Sequence, residues 1–267
     1  MSGGPKILVK LGGTLLDHPA SRDALAGQIA AASRAGARIV VVHGGGKQMT
    51  RYLAARGVES SFMDGLRVTT PEVVDALLKV YAGSVNKQLV GVLLAAGAPA
   101  VGISGIDGGL AVARPLNPAL GAVGRVTHAN GRLLDVLVGG GFLPVVACVA
   151  GGEQGEVFNV NADQMAVACA WAWKAQKLLF LTDIAGVKGA GGELIPRLTP
   201  SQARTLVETG IASGGMQAKL EAACDALERG LREVRIAAGA EPEVLARLLS
   251  ARQEAAPGTA LVPEEGA

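Results

Sequence analysis

Aromatic residues are scarce in this 267-residue chain: Phe, Trp and Tyr together make up 3% of it. So small a supply excludes the stacking platforms on which single-stranded nucleic acids are held, and it leaves the core to Val, Leu, Ile and Ala. Cysteine is nearly absent too. Cys148, Cys169 and Cys224 lie far apart in apolar stretches. An odd count without ligand spacing argues against a disulfide framework or a zinc site and predicts buried, reduced thiols. The histidines His43 and His128 have no partner at a spacing that a metal or a catalytic triad would use, and His18 falls in a polar stretch read as a loop. Charge of one sign is also missing: 25 Lys and Arg against 23 Asp and Glu leave a net charge of +2, with the basic residues scattered. No apolar run reaches the roughly 18 residues of a membrane span. Lysines interrupt the N-terminal apolar run where a secretory leader needs continuity. These absences predict a cytoplasmic protein with no nucleic-acid and no membrane partner.

What is abundant is glycine, with 38 residues, and aliphatic sequence, the chain being 49% hydrophobic. The length allows one large domain or two tightly joined lobes. Short apolar runs alternate with helical patterns, the signature of a parallel α/β sheet. Strands are predicted at Ile7–Val9, Ile39–Val42, Val101–Ile103, Leu143–Val149, Leu178–Thr182 and Val234–Ala237. Most lack polar alternation, as expected where helices cover both faces. Thr70-Pro71-Glu72 reads as a cap, a first-turn proline and a first-turn acid, opening a helix that runs to about Ala96 before Gly97. Thr199-Pro200-Ser201-Gln202 is a capping box for a helix that Gly210 closes. Further helices are predicted from Asn161 to about Ala175 and from Gln217 to about Arg229. Residues 125–130 and 151–157 read as hairpin or surface segments. The tail after Ala255, with Pro257, Pro263, Glu264 and Glu265, reads as partly frayed.

Two early strands run directly into glycines. Lys10 stands at the mouth of Leu11-Gly12-Gly13, and Val42 leads into His43-Gly44-Gly45-Gly46. Bare backbone N–H groups at the C-terminal edge of a parallel sheet, with a lysine at one of them, suit an anion and above all a phosphate. Neither turn is a Walker A loop. Neither is a dinucleotide fingerprint, whose third glycine would fall at Met49. In Asn159-Val160-Asn161-Ala162-Asp163 the cap accounts for Asn161 and the helix dipole for Asp163, but nothing structural accounts for Asn159. In Ser213-Gly214-Gly215-Met216-Gln217-Ala218-Lys219 a lysine in the first turn opposes the dipole, unless an anion lies there. Thr182-Asp183-Ile184-Ala185-Gly186-Val187 follows the C-terminal end of a strand, where ligands of open sheets bind. Arg67 is either solvated or a bidentate clamp for a carboxylate. Asp107, among glycines, is a turn former.

Taken in order, Lys10-Leu-Gly-Gly13, Val42-His-Gly-Gly-Gly46, Gly65-Leu-Arg-Val-Thr69, Asn159-Val-Asn-Ala-Asp163, Thr182-Asp-Ile-Ala-Gly186 and Gly214-Gly-Met-Gln-Ala-Lys219 resemble the amino acid kinase family in its acylglutamate branch, over nearly the whole chain. The resemblance implies a three-layer αβα sandwich with an open, mostly parallel central sheet. Residues 1–175 would form an N-terminal lobe for the amino acid and for dimerisation, and residues 176–267 a C-terminal lobe for ATP. The implied reaction is ATP-dependent phosphorylation of the γ-carboxylate of N-acetyl-L-glutamate to its acyl phosphate, the second step of arginine biosynthesis. Mg²⁺ would be held mainly by the nucleotide phosphates, with no protein metal site.

On this resemblance Lys10 and Lys219 would approach the transferring phosphoryl group from opposite lobes, and Asp163 would hold both. Gly12 and Gly45 would give backbone N–H donors to its oxygens. Arg67 and Asn159 would bind the α-carboxylate and the acylated nitrogen, with Gly45 and Gly46 lining that pocket. Thr182, Asp183, Gly186, Val187 and Ser213 would lie along the nucleotide. Three positions depart from the family pattern: Lys47-Gln48 where proline is common, Met216-Gln217-Ala218 without the usual apolar–proline pair, and Ile106 where lysine is common. Arginine-inhibited members carry an extra N-terminal helix that links dimers into a hexamer. The first strand here begins close to the N-terminus, so the expectation is a homodimer without arginine feedback, joined through the long helix after Thr70. A kinase of another N-acylated or carrier-protein-linked glutamate or α-aminoadipate derivative would share these residues. An inactive amino-acid-binding regulator would not need Lys10, Asp163 and Lys219 intact, and a dinucleotide-dependent oxidoreductase would need the missing fingerprint.

Overall fold

The computed structural model describes residues 4–250 and 256–264. Its frame is an eight-stranded sheet. From one edge the order is Arg197–Leu198, Thr259–Leu261, Val234–Ala238, Lys177–Thr182, Lys6–Leu11, Arg38–His43, Leu143–Ala147 and Ala100–Ser104. The six longer strands pair in parallel, while Thr259–Leu261 runs antiparallel to Val234–Ala238. Helix Pro19–Arg34 packs with Asn86–Ala95 and Val244–Ser250 on one side of the sheet. Helices Arg132–Gly139, Ala162–Trp173, Pro200–Glu208 and Gly214–Glu228 pack together on the other. The outcome is the three-layer α/β/α arrangement with a mostly parallel centre. Both sheet faces are covered, which is why Ile7, Leu8, Val9, Val40, Val41 and Val42 form unbroken buried runs. Each such aliphatic side chain contributes about 1.5–3 kcal/mol by leaving water.

All six strands expected from the sequence are present, each within a residue or two of its expected ends except one. The run Leu143–Val149 is not a single strand. Leu143–Ala147 belongs to the main sheet, and Val149–Gly151 joins a second, four-stranded sheet. The chain changes sheets at Cys148, and because it is buried in both, the sequence shows no break. The second sheet, ordered Val157–Asn159, Val149–Gly151, Ala111–Pro115 and Gly124–Ala129, holds Asn159 at the end of its first strand. The tail also differs from expectation. Thr259–Leu261 is a sheet strand with a fully buried Thr259 side chain, so residues 256–264 are anchored; Glu265 lies outside the described residues.

Thr70 caps the long helix as expected, with its side chain accepting from Val73 N–H, and Gly97 ends it at φ 86°. Its middle turns, Leu78–Val85, are π-helical. Tyr81 and Val85 in these turns lie against Gly45, and π segments of this kind gather at functional sites. Thr199 and Gln202 form the reciprocal capping box. The three cysteines are free and buried, and Trp173 is buried while Trp171 is not. Helices Pro19–Arg34, Gly46–Ala54 and Arg132–Gly139 have weaker start signals: no N-cap side chain caps any of the three, although Pro19 opens the first and Asn130 Oδ1 accepts from Arg132 N–H at 3.0 Å before the last.

Candidate active site

Strand Lys6–Leu11 is the switch point of the sheet. Its neighbours Arg38–His43 and Lys177–Thr182 lead to crossovers in opposite directions, which opens a crevice beyond their C-terminal ends. The glycine turns, the start of helix Ala162–Trp173 and the start of helix Gly214–Glu228 all meet there. Asn161 caps the first of these helices, accepting from Asp163 N–H at 2.8 Å and Gln164 N–H at 3.3 Å. The cap fixes Asp163 in the first turn with its carboxylate turned to the crevice.

Asp163 there holds two lysines. Lys10 Nζ lies 2.7 Å from Oδ1 and Lys219 Nζ lies 3.4 Å from Oδ2. The side chains of Lys10 and Asp163 are 8% and 6% exposed, and that of Lys219 is 15% exposed, so the triplet is close to dry but open on one side. Burial alone would raise the Asp163 carboxyl, yet the charges of Lys10 and Lys219 outweigh it and hold the group below the usual carboxylate range. Burial lowers the Lys219 ammonium below its ordinary value; Asp163 opposes that, and the charge of Lys10 adds to it. Among the three groups the sum is one net positive charge, aimed into a crevice where an anion fits.

Helix Gly214–Glu228 starts three residues earlier than expected, after Ser213, with Gly214 at φ 54°. Lys219 therefore lies in the second turn, not the first. Helical side chains lean back towards the N-terminus, and Nζ reaches Gly215 O at 3.3 Å as well as Asp163. The opposition between the lysine and the dipole is thus weaker than the sequence implied, but its head group still ends near the helix start.

Beside the triplet lies a cavity of about 300 Å³, lined among others by Lys10, Gly44, Gly45, Gly46, Arg67, Tyr81, Cys148 and Asn159. All four residues expected to bind the acceptor meet here. Arg67 reaches it from a tight hairpin. Asp64 and Gly65 both have positive φ, 50° and 76°, as a two-residue Asp-Gly turn requires, and they join Phe62–Met63 to Leu66–Arg67. The guanidinium is buried, not solvated. Nη2 donates to Gly46 O at 3.1 Å and Thr50 Oγ1 at 2.8 Å, Nη1 donates to Ser60 Oγ, and Phe62 lies 4.7 Å beneath it. Asn159 Nδ2 donates to Thr69 Oγ1 at 3.0 Å, which donates in turn to Arg67 O at 2.8 Å. That bond holds Asn159 at the cavity wall and gives it a structural anchor that its apolar neighbours did not reveal. Cys148 is fully enclosed, and burial pushes its thiol up to about 12, so it lines the wall as an apolar group.

The glycine turns behave differently from each other. Gly45 has no room for a Cβ, which would fall 2.8 Å from the Tyr81 ring. It precedes helix Gly46–Ala54, which no side chain caps, so the first N–H groups of that helix are left for the cavity. Gly12 does not offer its N–H: it donates to Leu181 O at 2.8 Å, because strand pairing runs one residue further than expected. Gly13 and Thr14, one step on, line the cavity instead.

The residues expected along a nucleotide flank the triplet on the other side. Thr182 stands against Gly12, and its hydroxyl donates to Asp183 Oδ1 at 2.9 Å. Asp183 faces Thr14, Lys47 and Lys219. Gly186 is pressed against Thr259, and Val187 N–H donates to Thr259 Oγ1 at 2.8 Å with its side chain in the core. Ser213 is exposed at the start of its helix. Three residues of this crevice were not singled out from the sequence as site groups: Thr14, Tyr81 and Lys47. Only Lys47 carried a usable signal, a cation next to a glycine turn.

Among the described residues no three His, Cys, Asp or Glu come together as a metal site, and no helix is long and apolar enough to cross a membrane.

Comparison with known proteins agrees with this fold. A description of the "Amino acid kinase family" matches residues 5–238. The acetylglutamate kinase of Solibacter usitatus is 59% identical over 248 residues, covering 93% of this chain and 96% of that one. The acetylglutamate kinase of Rubrobacter xylanophilus is 46% identical over 261 residues, covering 98% of each. Among solved structures, N-acetylglutamate synthase from Neisseria gonorrhoeae, complexed with coenzyme A and N-acetyl-glutamate, superposes with a TM-score of 0.86 at 26% identity, covering 98% of this chain and 60% of that one. Carbamate kinase from Giardia lamblia superposes with a TM-score of 0.72 at 16% identity, which speaks for the fold alone.

Proposed function

This chain belongs to the amino acid kinase family, and from that premise we propose that it transfers the γ-phosphoryl group of ATP to the γ-carboxylate of N-acetyl-L-glutamate, in the service of arginine biosynthesis. The observation that carries the reading is the Lys10–Asp163–Lys219 triplet beside a cavity that ends in a buried arginine.

The chemistry asks little of a base. A γ-carboxyl is ionised at neutral pH, with an ordinary value of about 4.3, so no proton has to be removed before its oxygen attacks the γ-phosphorus. One O–P bond forms, the bond to the β,γ-bridging oxygen breaks, and ADP leaves. What the protein supplies is alignment and positive charge. Lys10 and Lys219 neutralise the equatorial oxygens, and Asp163 fixes both lysines without acting as a base. Arg67 and Asn159 take the α-carboxylate and the acylated nitrogen. Gly45 N–H, Gly46 N–H and the free amides near Gly13 serve the oxygens between them. The nucleotide lies along Thr182, Asp183, Gly186, Val187 and Ser213, with Gly186 acting through its backbone and Val187, whose N–H is held by Thr259 Oγ1, bounding the site. Mg²⁺ brought in with ATP would add charge at the phosphates and would be held by their oxygens, both Asp163 oxygens already facing lysines.

Residues 1–175 form the acceptor lobe and 176–267 the nucleotide lobe in this reading, and the protein works in the cytoplasm. Leu78 and Leu94, 39% and 53% exposed on the long helix after Thr70, support its use as the contact of a homodimer. A coupled ADP-release assay with N-acetylglutamate, N-succinylglutamate, glutamate and aspartate tests the reaction. Turnover is expected on N-acetylglutamate above the others, and no turnover on any acylglutamate refutes it.

A further inference from the structure

His43, the last residue of strand Arg38–His43, is fully buried directly before the Gly44–Gly46 turn, and both of its ring nitrogens are engaged. Nδ1 lies 2.8 Å from Gly44 O and Nε2 lies 3.0 Å from Asn86 Nδ2. Asn86 is itself fully buried at the end of the π-helical segment. Its amide orientation is not free. Nδ2 also faces Val145 O at 2.9 Å and Ile103 O at 3.4 Å, and an oxygen there would meet two carbonyls with no hydrogen between them. The opposite end, Oδ1, accepts from Lys87 Nζ at 3.2 Å. Asn86 fits only because residue 102 is glycine, where a Cβ would fall 1.9 Å from Oδ1.

The orientations follow in sequence. The carbonyls of two strands fix the Asn86 amide, so Asn86 donates to Nε2, Nε2 must be bare, and the ring proton sits on Nδ1, where it is donated to Gly44 O. Burial, which pushes the ring down to about 4, keeps it neutral. A carbonyl held on one side of a peptide plane holds the N–H on the other side, and the N–H of the Gly44–Gly45 peptide belongs to Gly45.

We infer that His43 is a positioning residue: through Nδ1–H it pins the Gly44 carbonyl and so aims the Gly45 N–H at the oxygen that accepts or carries the phosphoryl group. The inference rests on the proposed reaction for what the N–H meets, and on the geometry alone for how it is aimed. Ligand donors held by an outer hydrogen bond in this way lose activity when the outer partner is changed, even where the fold persists.

Two substitutions separate aiming from mere support. His43→Asn places an amide N–H where Nδ1 stands, and His43→Gln offers none there, presenting instead an amide oxygen where Nε2 accepts from Asn86. An aiming role predicts that His43→Asn keeps kcat within a few-fold of wild type, while His43→Gln loses about tenfold or more, the scale of a weakened oxyanion donor. KM for ATP should move less than twofold in both. A purely supporting role predicts the reverse order, since glutamine fills the site better and keeps the Asn86 contact. A kcat for His43→Gln equal to or above that of His43→Asn overturns the inference. The wild-type protein gives an independent reading. In a histidine-labelled ¹H–¹⁵N long-range spectrum, His43 should show a protonated Nδ1 and a bare Nε2, unchanged from about pH 6 to 9. An Nε2–H tautomer there refutes the aiming whatever the variants do. If the wild type phosphorylates no acylglutamate, the proposed reaction fails, while the spectrum still decides the geometry.

Discussion

Replacing Asp163 by asparagine keeps its shape and removes its charge, leaving Lys10 and Lys219 to face each other across a nearly dry crevice. Their ammonium groups lie 2.7 and 3.4 Å from its oxygens. At an effective dielectric constant of about 20 these distances correspond to gross attractions of about 6 and 5 kcal/mol, most of which offsets the cost of burying three charges. What is lost on substitution is therefore smaller than their sum. Breaking a buried pair costs about 3–5 kcal/mol, and the opening beside Lys219 places this case near 3 kcal/mol. In a chain of this size that lowers Tm by roughly 6–12 °C. The loss has a pH signature. Asp163 is held below its ordinary value in the folded protein, so it adds stability above the unfolded carboxyl value of about 4, and that stability drains away as pH falls through the folded value. Melting curves of wild type and Asp163→Asn should accordingly converge as pH falls below about 4 and stay apart at neutral pH. In activity, kcat should drop by about 10²–10³, because both cations lose their alignment. The alkaline limb should also move to lower pH, since Asp163 no longer supports the Lys219 ammonium. An Asp163→Asn protein that melts within about 2 °C of wild type at pH 7 and keeps the same alkaline limb would refute the role given to this carboxylate.

Lys219→Met should lower kcat by about 10²–10³ with a modest change in either KM, the pattern of a contact made in the transition state; a rise in KM alone would remove Lys219 from that role. Arg67→Lys gives up the planar fork while keeping the charge. It should raise KM for the acceptor by about tenfold or more and leave KM for ATP within twofold, in steady-state assays with each substrate varied in turn. Gly45→Ala drives a methyl into the Tyr81 ring. The backbone must shift, and a loss of at least tenfold in kcat/KM is expected; restoration by Tyr81→Ala in the same chain would show the clash to be the cause.

The fold was legible because parallel strands covered on both sides must be unbroken aliphatic runs, and the caps at Thr70, Asn161 and Thr199 use side chains whose function is local. Where the first helical residue is a glycine and no side chain caps it, as in Gly46–Ala54 and Gly214–Glu228, the start is hard to place, and Lys219 was accordingly placed one turn too early. Two charged members of the candidate site were visible for the converse reason: Lys10 and Lys219 stand where a structural role is poor, whereas Asp163, which the helix dipole accounts for, was picked out by the resemblance. Arg67 was less visible, because its burial depends on the Asp64-Gly65 turn and on partners from Gly46 to Ser60. His43 was passed over entirely as a site group. Its partner, Asn86, is distant in sequence, and the contact exists only because the helix and two strands converge. Gly12 shows the opposite failure. Its sequence setting suits an anion, but one further pairing bond commits its N–H to Leu181.

The most direct measurement of the central claim uses N-acetyl-L-glutamate labelled with ¹⁸O in its γ-carboxylate, incubated with ATP, Mg²⁺ and excess hydroxylamine. If the carboxylate oxygen itself attacks phosphorus, hydroxylamine then displaces phosphate at carbon, and the inorganic phosphate released should carry one ¹⁸O, seen as the isotope shift of its ³¹P resonance. Phosphate released without label in this coupled reaction would mean that no bond forms between the acceptor oxygen and the phosphoryl group, and would contradict the account.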